Sequence, residues 1–374
     1  MKSIYQRDPF YSKWKTAFQV VQNVNTNGYG RTCIVTGSNS GIGYVTALSL
    51  VRTGYKVICC CRSLTKAETT CVRINKDIES TPELQLFPGN CLPGVLDLGD
   101  LDSVRTFVRT IGEQRIDILC NNAGIMQLPT FQTSKQGYEM QFAVNFLAPW
   151  LLTELLKPNL RKAANMNGDG TATVEPRPSR VINVASSAHY AAKIQLIPEM
   201  NQIGDPTLAE QAYDGGWNEY ATSKMYQILH VKHLAKTNDK KIVAFALHPG
   251  VIATGLSRNA KCCSFTWFLY CWPKTLYCCC CCCTGVLRTD VDQGAASSVR
   301  ACTDSELNEF SGSYIHEDCQ LKEPQLPVNW DGEGFEARCR VLCEMMCEGG
   351  ANGKSGGGAN GAAVALVVGE KKSL

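Results

Sequence analysis

The run Thr32-Cys33-Ile34-Val35-Thr36-Gly37-Ser38-Asn39-Ser40-Gly41-Ile42-Gly43 decides how the rest of the chain is read. Its first five residues form the kind of short apolar stretch that makes a buried strand. A glycine turn follows. Residues 42–53 then carry Val45, Leu48 and Val51 at helical spacing, and Gly54 is the stop. A glycine turn between strand and helix is the context in which a chain cradles a dinucleotide pyrophosphate. Gly37 permits the tight turn. Gly41 and Gly43 let backbone and helix approach the phosphates, which the helix N-terminus attracts. Ser38, Asn39, Ser40 and Ile42 complete the expected contact surface. Taken alone, this Gly-x-x-x-Gly-x-Gly spacing reads equally well as a plain glycine-rich connection.

Working outward, strands alternate with helices. The pattern predicts strands at 55–61, 94–98, 116–120, 180–185 and 242–247. Helices are expected at 65–78, 101–111, 136–156 and 220–234. Such alternation implies parallel pairing with helices on both faces, and right-handed crossovers make it a doubly wound α/β sheet. We expect one catalytic domain over residues 28–330, preceded by an N-terminal extension at 1–27. A C-terminal helical segment at 331–347 and a glycine-rich tail at 348–374 follow. The tail buries too little to offset its ordering entropy, so disorder is expected there.

With 44% hydrophobic residues in a chain of 374, core-forming residues are ample. A net charge of +3 is too slight to argue for nucleic acid. The 21 cysteines are odd in number and cannot all pair internally, and Cys59, Cys60 and Cys61 fall in a buried strand as small hydrophobes. A reducing, cytoplasmic location is the expectation. Arg7, Asp8, Lys13 and Lys15 interrupt the first thirty residues, and nowhere do about 18 apolar residues run together, so neither a secretory signal nor a helical span is expected.

The end of the second strand selects the nucleotide. An acid there would bind a ribose 2′-hydroxyl and repel a 2′-phosphate. Cys61 and Arg62 stand there instead, and Arg62 can pair with the phosphate in fork geometry, aided by Asn39 and Lys66. NADP(H) is therefore expected over NAD(H), the alternative being a solvated surface arginine. Asp97 and Leu98 close the third strand, where Asp97 either accepts from the adenine amino group or caps the next helix. Asn122, Ala123 and Gly124 follow the fourth strand and supply small residues and amides beside the nucleotide.

Tyr220 and Lys224 lie one helical turn apart. A free phenol, with a pKa near 10, is a poor acid–base group at neutral pH, and a nearby ammonium favours its anion. Lys224 can also hold ribose hydroxyls. Ser187 can hydrogen-bond a substrate oxygen, with Ser186 as its competitor. Asn145 can hold a water that connects Lys224 to solvent. His248-Pro249-Gly250-Val251 makes a rigid turn against a nicotinamide, with Thr254 available for the carboxamide. Tyr and Lys at this spacing usually mark only an exposed polar face; the accompanying residues argue otherwise. No metal site is expected.

Together these residues resemble the short-chain dehydrogenase/reductase family over about residues 30–330. Cys60-Cys61-Arg62-Ser63, Asn121-Asn122-Ala123-Gly124-Ile125-Met126 and Ser186-Ser187-Ala188-His189 look like its retinol dehydrogenase group and a related dehydrogenase/reductase encoded on chromosome X. The resemblance implies a Rossmann fold with a mostly parallel seven-stranded sheet and NADP(H). It also implies a lipophilic alcohol/carbonyl substrate such as a retinoid, prenol or steroid. Alignment of the Ser-Ser pair favours Ser187, and many relatives dimerise through the 136–156 and 220–234 helices. An N-terminal hydrophobic anchor is usual in that group, and none is expected from the first thirty residues here.

In the family, residues 255–287 correspond to a substrate loop. Here the segment 262–287 carries Trp267, Phe268, Leu269, Tyr270 and Trp272, then six consecutive cysteines, Cys278 to Cys283. It reads either as peripheral membrane contact, with or without acylation, or as a mobile expansion. The former would bring the protein to the cytosolic face of endoplasmic reticulum or lipid droplets. The rival to an enzyme is a non-catalytic nucleotide-binding scaffold at a membrane surface.

Overall fold

The computed structural model describes residues 15–164, 177–192, 213, 215–237, 239–252, 254–256 and 290–324. The segment at 262–287, the helical segment at 331–347 and the glycine-rich tail lie outside the described residues.

Strands β1 (Thr32–Thr36), β2 (Lys56–Cys61), β3 (Asn90–Val95), β4 (Ile118–Asn121), β5 (Ser179–Val184), β6 (Ile242–Leu247), β7 (Tyr314–Ile315) and β8 (Leu321–Lys322) form one sheet. Its order is β3-β2-β1-β4-β5-β6-β7-β8. Every pairing from β3 through β7 is parallel, and β8 runs antiparallel to β7. The expected seven strands thus become eight, through a two-residue edge strand too short to show an alternation in sequence. The order reverses between β1 and β4, and ligands of such sheets bind outside the carboxyl ends of the strands at that switch point.

Helices α2 (Gly41–Arg52), α3 (Leu64–Ser80), α4 (Leu101–Ile111), α5 (Met140–Phe142), α6 (Ala148–Ala164), α7 (Trp217–Lys236) and α8 (Val291–Thr303) cover both faces. One apolar layer joins Val104 and Phe107 of α4, Leu152 and Leu156 of α6 and Ile228 of α7 to Ile34 and Leu119 of the sheet. The other joins Leu50 of α2, Ile74 of α3 and Cys302 of α8 to Val35, Cys59 and Phe245. With both faces covered, β1 and β6 are buried along their whole length and read as continuous apolar runs.

Three boundaries differ from the sequence reading. β3 starts at Asn90, not Gly94, and contains Pro93. It is the sheet's edge, where a missing N–H is tolerated. The long helix runs past Pro158 because Leu156 and Leu160 stay buried on the far side. It is also interrupted by a π-helical turn at Ala143–Leu147. Finally, the N-terminal extension contains a helix, α1 (Ala17–Val24). Thr16 and Gln19 form a capping box, and Val20 and Val21 pack on Ala295, Ala296 and Val299 of α8. Each fully buried valine is worth about 1.5–3 kcal/mol, enough to hold so short a helix.

Candidate active site

The glycine turn sits where β1 and β4 part. Gly37 and Gly41 have φ of +67° and +57°, a region other residues avoid. A Cβ on Gly43 would lie 2.2 Å from Asn122 Nδ2 and 2.5 Å from the Gly37 oxygen. The turn is stitched to β4 by side chains. Thr36 Oγ1 accepts the backbone N–H of Asn122 and of Ala123, each at 3.0 Å, and Asn122 Nδ2 donates to the Thr36 oxygen at 2.8 Å. Asn122 therefore braces the turn through its side chain. Ser38 is buried, with Oγ 3.5 Å from the Cys60 oxygen. Ser40 occupies the N-cap of α2 without a side-chain cap bond, so it does not consume the N–H groups of Gly41, Ile42 and Gly43. A tight turn with no room for a Cβ, opening an uncapped helix start, fits the pyrophosphate of a nicotinamide dinucleotide.

Gly37 N–H donates to the Cys60 carbonyl at 2.9 Å, so the end of β2 abuts the turn. Arg62 comes next and is exposed, as are Asn39 and Lys66. Asp97 Oδ1 accepts the Gly99 N–H at 2.9 Å, while the cap of α4 is Asp100, so Asp97 does not fill the capping role. The Leu98 side chain belongs to the core. Beyond β6, Pro249 is buried, Gly250 has φ of +93°, and Val251 is exposed. A Cβ on Gly41 would stand 3.2 Å from Thr254 Cγ2, which brings that segment over the turn.

Tyr220 lies in the first turn of α7 and is 4% exposed. The Ser186 side chain nearby favours its ionised form. Ser186 caps a short 3-10 helix, Ser187–Ala191, and its Oγ accepts the Ala188 N–H at 3.1 Å. That use of an acceptor site leaves the Ser186 hydroxyl hydrogen available to another acceptor. Of the two serines, it is Ser186 rather than the expected Ser187 whose side chain acts on the Tyr220 phenol. After β5 the chain turns at once into the 3-10 helix, and the first serine faces α7.

Lys224 is 3% exposed, and its Nζ donates to the Val184 oxygen at 2.8 Å and to Gln227 Oε1 at 3.1 Å. It stands 5.6 Å from the centre of the Tyr220 ring. Burial governs both groups. It pushes the Tyr220 phenol up to about 12, against the downward pull of the Ser186 side chain. It lowers the Lys224 ammonium to about 7. The expected depression of the tyrosine by the lysine is thus overridden by desolvation, which penalises both charged forms.

Asn145 sits inside the π-helical turn, a local distortion common at functional sites. Its Oδ1 accepts the Ile125 N–H at 2.8 Å, and its Nδ2 donates to the Ile125 oxygen at 2.9 Å and to Ser223 Oγ at 3.0 Å. Ser223 donates onward to the Tyr220 carbonyl at 2.8 Å. Gln227 Nε2 reaches the Asn145 carbonyl at 2.6 Å. The path from Asn145 to Lys224 therefore runs through its main-chain carbonyl and Gln227, while its side chain braces the loop after β4. The sequence reading missed Ser223 and Gln227. Their positions, three residues after Tyr220 and after Lys224, are the signal that could have found them. A Cβ on Gly124 would lie 3.4 Å from Lys224 Nζ, so the two ends of the site meet there.

The family model described as short chain dehydrogenase matches residues 31–196. Human retinol dehydrogenase 14 is 32% identical over 313 residues, covering 81% of this chain and 82% of its own length. Among solved structures, an NADPH-bound carbonyl reductase from chicken fatty liver covers 79% of this chain and 99% of its own, with TM-score 0.52 at 21% identity. A short-chain type dehydrogenase/reductase from Mycobacterium marinum covers 79% and 96%, with TM-score 0.54 at 17% identity. At these identities the two structures speak for the fold alone. No helix among the described residues is long and apolar enough to cross a membrane, and no cluster of metal-ligating side chains occurs among them.

Proposed function

This chain belongs to the short-chain dehydrogenase/reductase family and is an oxidoreductase of that family; from that premise we propose that it interconverts a lipophilic alcohol and its aldehyde or ketone with NADP(H). The observation that carries the reading is the buried Tyr220, with the Ser186 side chain acting on its phenol and buried Lys224 one turn below, near the glycine turn. A bound nicotinamide dinucleotide supplies or accepts the hydride. The chain's own groups handle the oxygen and its proton. The Ser186 hydroxyl donates to the substrate carbonyl oxygen and steadies charge that develops there. Tyr220 gives that oxygen a proton in reduction and takes it back in oxidation. Lys224 binds ribose hydroxyls and, when charged, favours the tyrosinate. Asn145 and Gln227 form the polar route behind Lys224.

The 2′-phosphate preference rests on Arg62, exposed directly after β2 with no acid at that place. The name of the human relative supports a retinoid or a similar lipophilic molecule as substrate. The aromatic, cysteine-rich stretch at 262–287 supports peripheral attachment to a cytosolic membrane face. A homodimer through the α6 and α7 regions completes the proposal. The test is NADPH oxidation over a panel of retinal, prenal, a steroid ketone and a small quinone, with Tyr220→Phe alongside. Turnover of a lipophilic carbonyl that disappears in the variant supports the enzyme. NADPH binding with no turnover across the panel would favour the nucleotide-binding scaffold.

A further inference from the structure

His189 follows Ser186 by three residues and is fully buried. Its Nδ1 lies 2.6 Å from the Ser186 carbonyl oxygen. A carbonyl only accepts, so Nδ1 carries the hydrogen and Nε2 carries the lone pair. The backbone N–H of His189 donates to the same oxygen at 3.2 Å. One residue thus holds that carbonyl twice. The ring is packed against Tyr190, with centroids 4.1 Å apart, and edge-on to Tyr314 at 5.2 Å. Neither His189 Nε2 nor the Tyr314 hydroxyl finds a hydrogen-bond partner among the described residues. Burial takes the imidazole down to about 4, so it is neutral at physiological pH and ill-suited to carry protons.

Leaving a buried nitrogen unpaired forfeits its hydration with nothing in return. A leucine of similar reach would fill the volume without that penalty. What the imidazole supplies beyond volume is one N–H aimed at one carbonyl. That carbonyl belongs to Ser186, whose side chain acts on the phenol of Tyr220. Holding the peptide plane after Ser186 fixes its Cα and Cβ, and the Ala188 N–H then orients Oγ.

We propose that His189 is a positioning residue for the reaction, acting through the Ser186 carbonyl to hold the Ser186 hydroxyl against the phenol of Tyr220. The inference rests on the reading of Ser186 and Tyr220 as the pair that handles the substrate oxygen. Misplacing a reacting group by about 1 Å can cost on the order of 10²-fold in rate. Because the backbone N–H keeps the carbonyl paired, loss of the ring bond should spare the fold.

Three variants separate the donor from the volume. In His189→Asn the side-chain amide nitrogen would stand near where Nδ1–H lies. His189→Gln would move the donor one bond out, and His189→Leu would remove it. On the panel carbonyl that the wild type turns over fastest, His189→Leu and His189→Gln should lose about 10- to 100-fold in kcat. Their KM and NADPH Kd should stay within about twofold, and the thermal midpoint should hold or rise in His189→Leu. His189→Asn should keep most of kcat. In a Ser186→Ala background, His189→Leu should cost nothing further. Long-range ¹H–¹⁵N spectra of the histidines should show His189 as the Nδ1–H tautomer at pH 7, a readout independent of turnover. The inference is overturned by an Nε2–H tautomer, by full kcat in His189→Leu, by equal losses in the Asn and Leu variants, or by additive loss in the Ser186→Ala background. A wild type that turns over nothing on the panel defeats the catalytic reading and this inference with it. An active wild type with an indifferent His189 defeats only the inference.

Discussion

The glycine turn and the Tyr220–Lys224 pocket stand at the same edge of the sheet, yet they treat polar groups in opposite ways. At the turn, Thr36, Asn122 and the backbone of Ala123 satisfy one another, and Arg62, which follows β2, faces water. In the pocket, Tyr220 and Lys224 are nearly inaccessible, and burial moves both away from their ordinary ionisation. The first region recognises by shape and by an exposed charge. The second holds reactive groups in a place that folding alone would not choose. The difference teaches where each kind of substitution should act: in the pocket on rate and stability together, at the turn on affinity.

The largest effect should come from Tyr220→Phe, which removes the hydroxyl and keeps the ring. Acid–base groups typically contribute about 10²–10⁴-fold, and turnover should fall by that order while NADPH binding survives. Steady-state rates beside a fluorescence titration of NADPH decide it. Unchanged turnover would place proton transfer elsewhere and erase the contrast between the regions.

Next in size is the serine pair. Ser186→Ala should lower kcat by about 10²–10³-fold, as loss of one donor to a developing oxyanion does, while Ser187→Ala should cost less than about threefold. The reverse ranking would restore the serine favoured by the sequence reading.

That ranking also marks how far sequence could reach. β1, its glycine turn and β6 were legible because a strand buried on both faces is a bare apolar run, bounded here by turn residues. Tyr220 and Lys224 were legible because their spacing is that of one helical turn. The choice between Ser186 and Ser187 was not, because both follow the same strand and the answer depends on how the 3-10 helix turns. The π-helical turn that carries Asn145 leaves no mark in Ala143-Val144-Asn145-Phe146-Leu147, since it is held by tertiary bonds to Ile125 and Gln227. Pro93 and Pro158 lie just outside the strand and helix expected from sequence, and each is tolerated by its surroundings, an edge strand and a well-packed helix.

At the turn, Arg62→Ala should weaken NADPH by about 10- to 100-fold, the range of a charge-assisted hydrogen bond, and leave NADH almost untouched. Competitive titrations with the two cofactors measure it directly. Equal losses would make Arg62 a general phosphate contact or a surface residue.

The smallest expected effect tests the claim that the pocket is held against its own stability. Lys224 is charged in an unfolded chain up to its ordinary 10.5 but in the folded protein only below about 7. Between those values the unfolded state binds more protons, so stability rises with pH over that window. Below about pH 7 the buried ammonium imposes its full penalty, which is relieved as pH climbs toward 10. Lys224→Met keeps the reach of the side chain and drops the charge. The variant should therefore be inactive but more stable than wild type at pH 6, with a midpoint on the order of a few degrees higher. That advantage should shrink as pH rises from 7 to 10, while titrations elsewhere in the chain cancel between the two proteins. Thermal scans of both proteins at pH 6, 7, 8, 9 and 10 supply the comparison. A gap that stays constant, or widens toward high pH, would mean that Lys224 remains charged through its bonds to Val184 and Gln227, and that the pocket stores no such penalty.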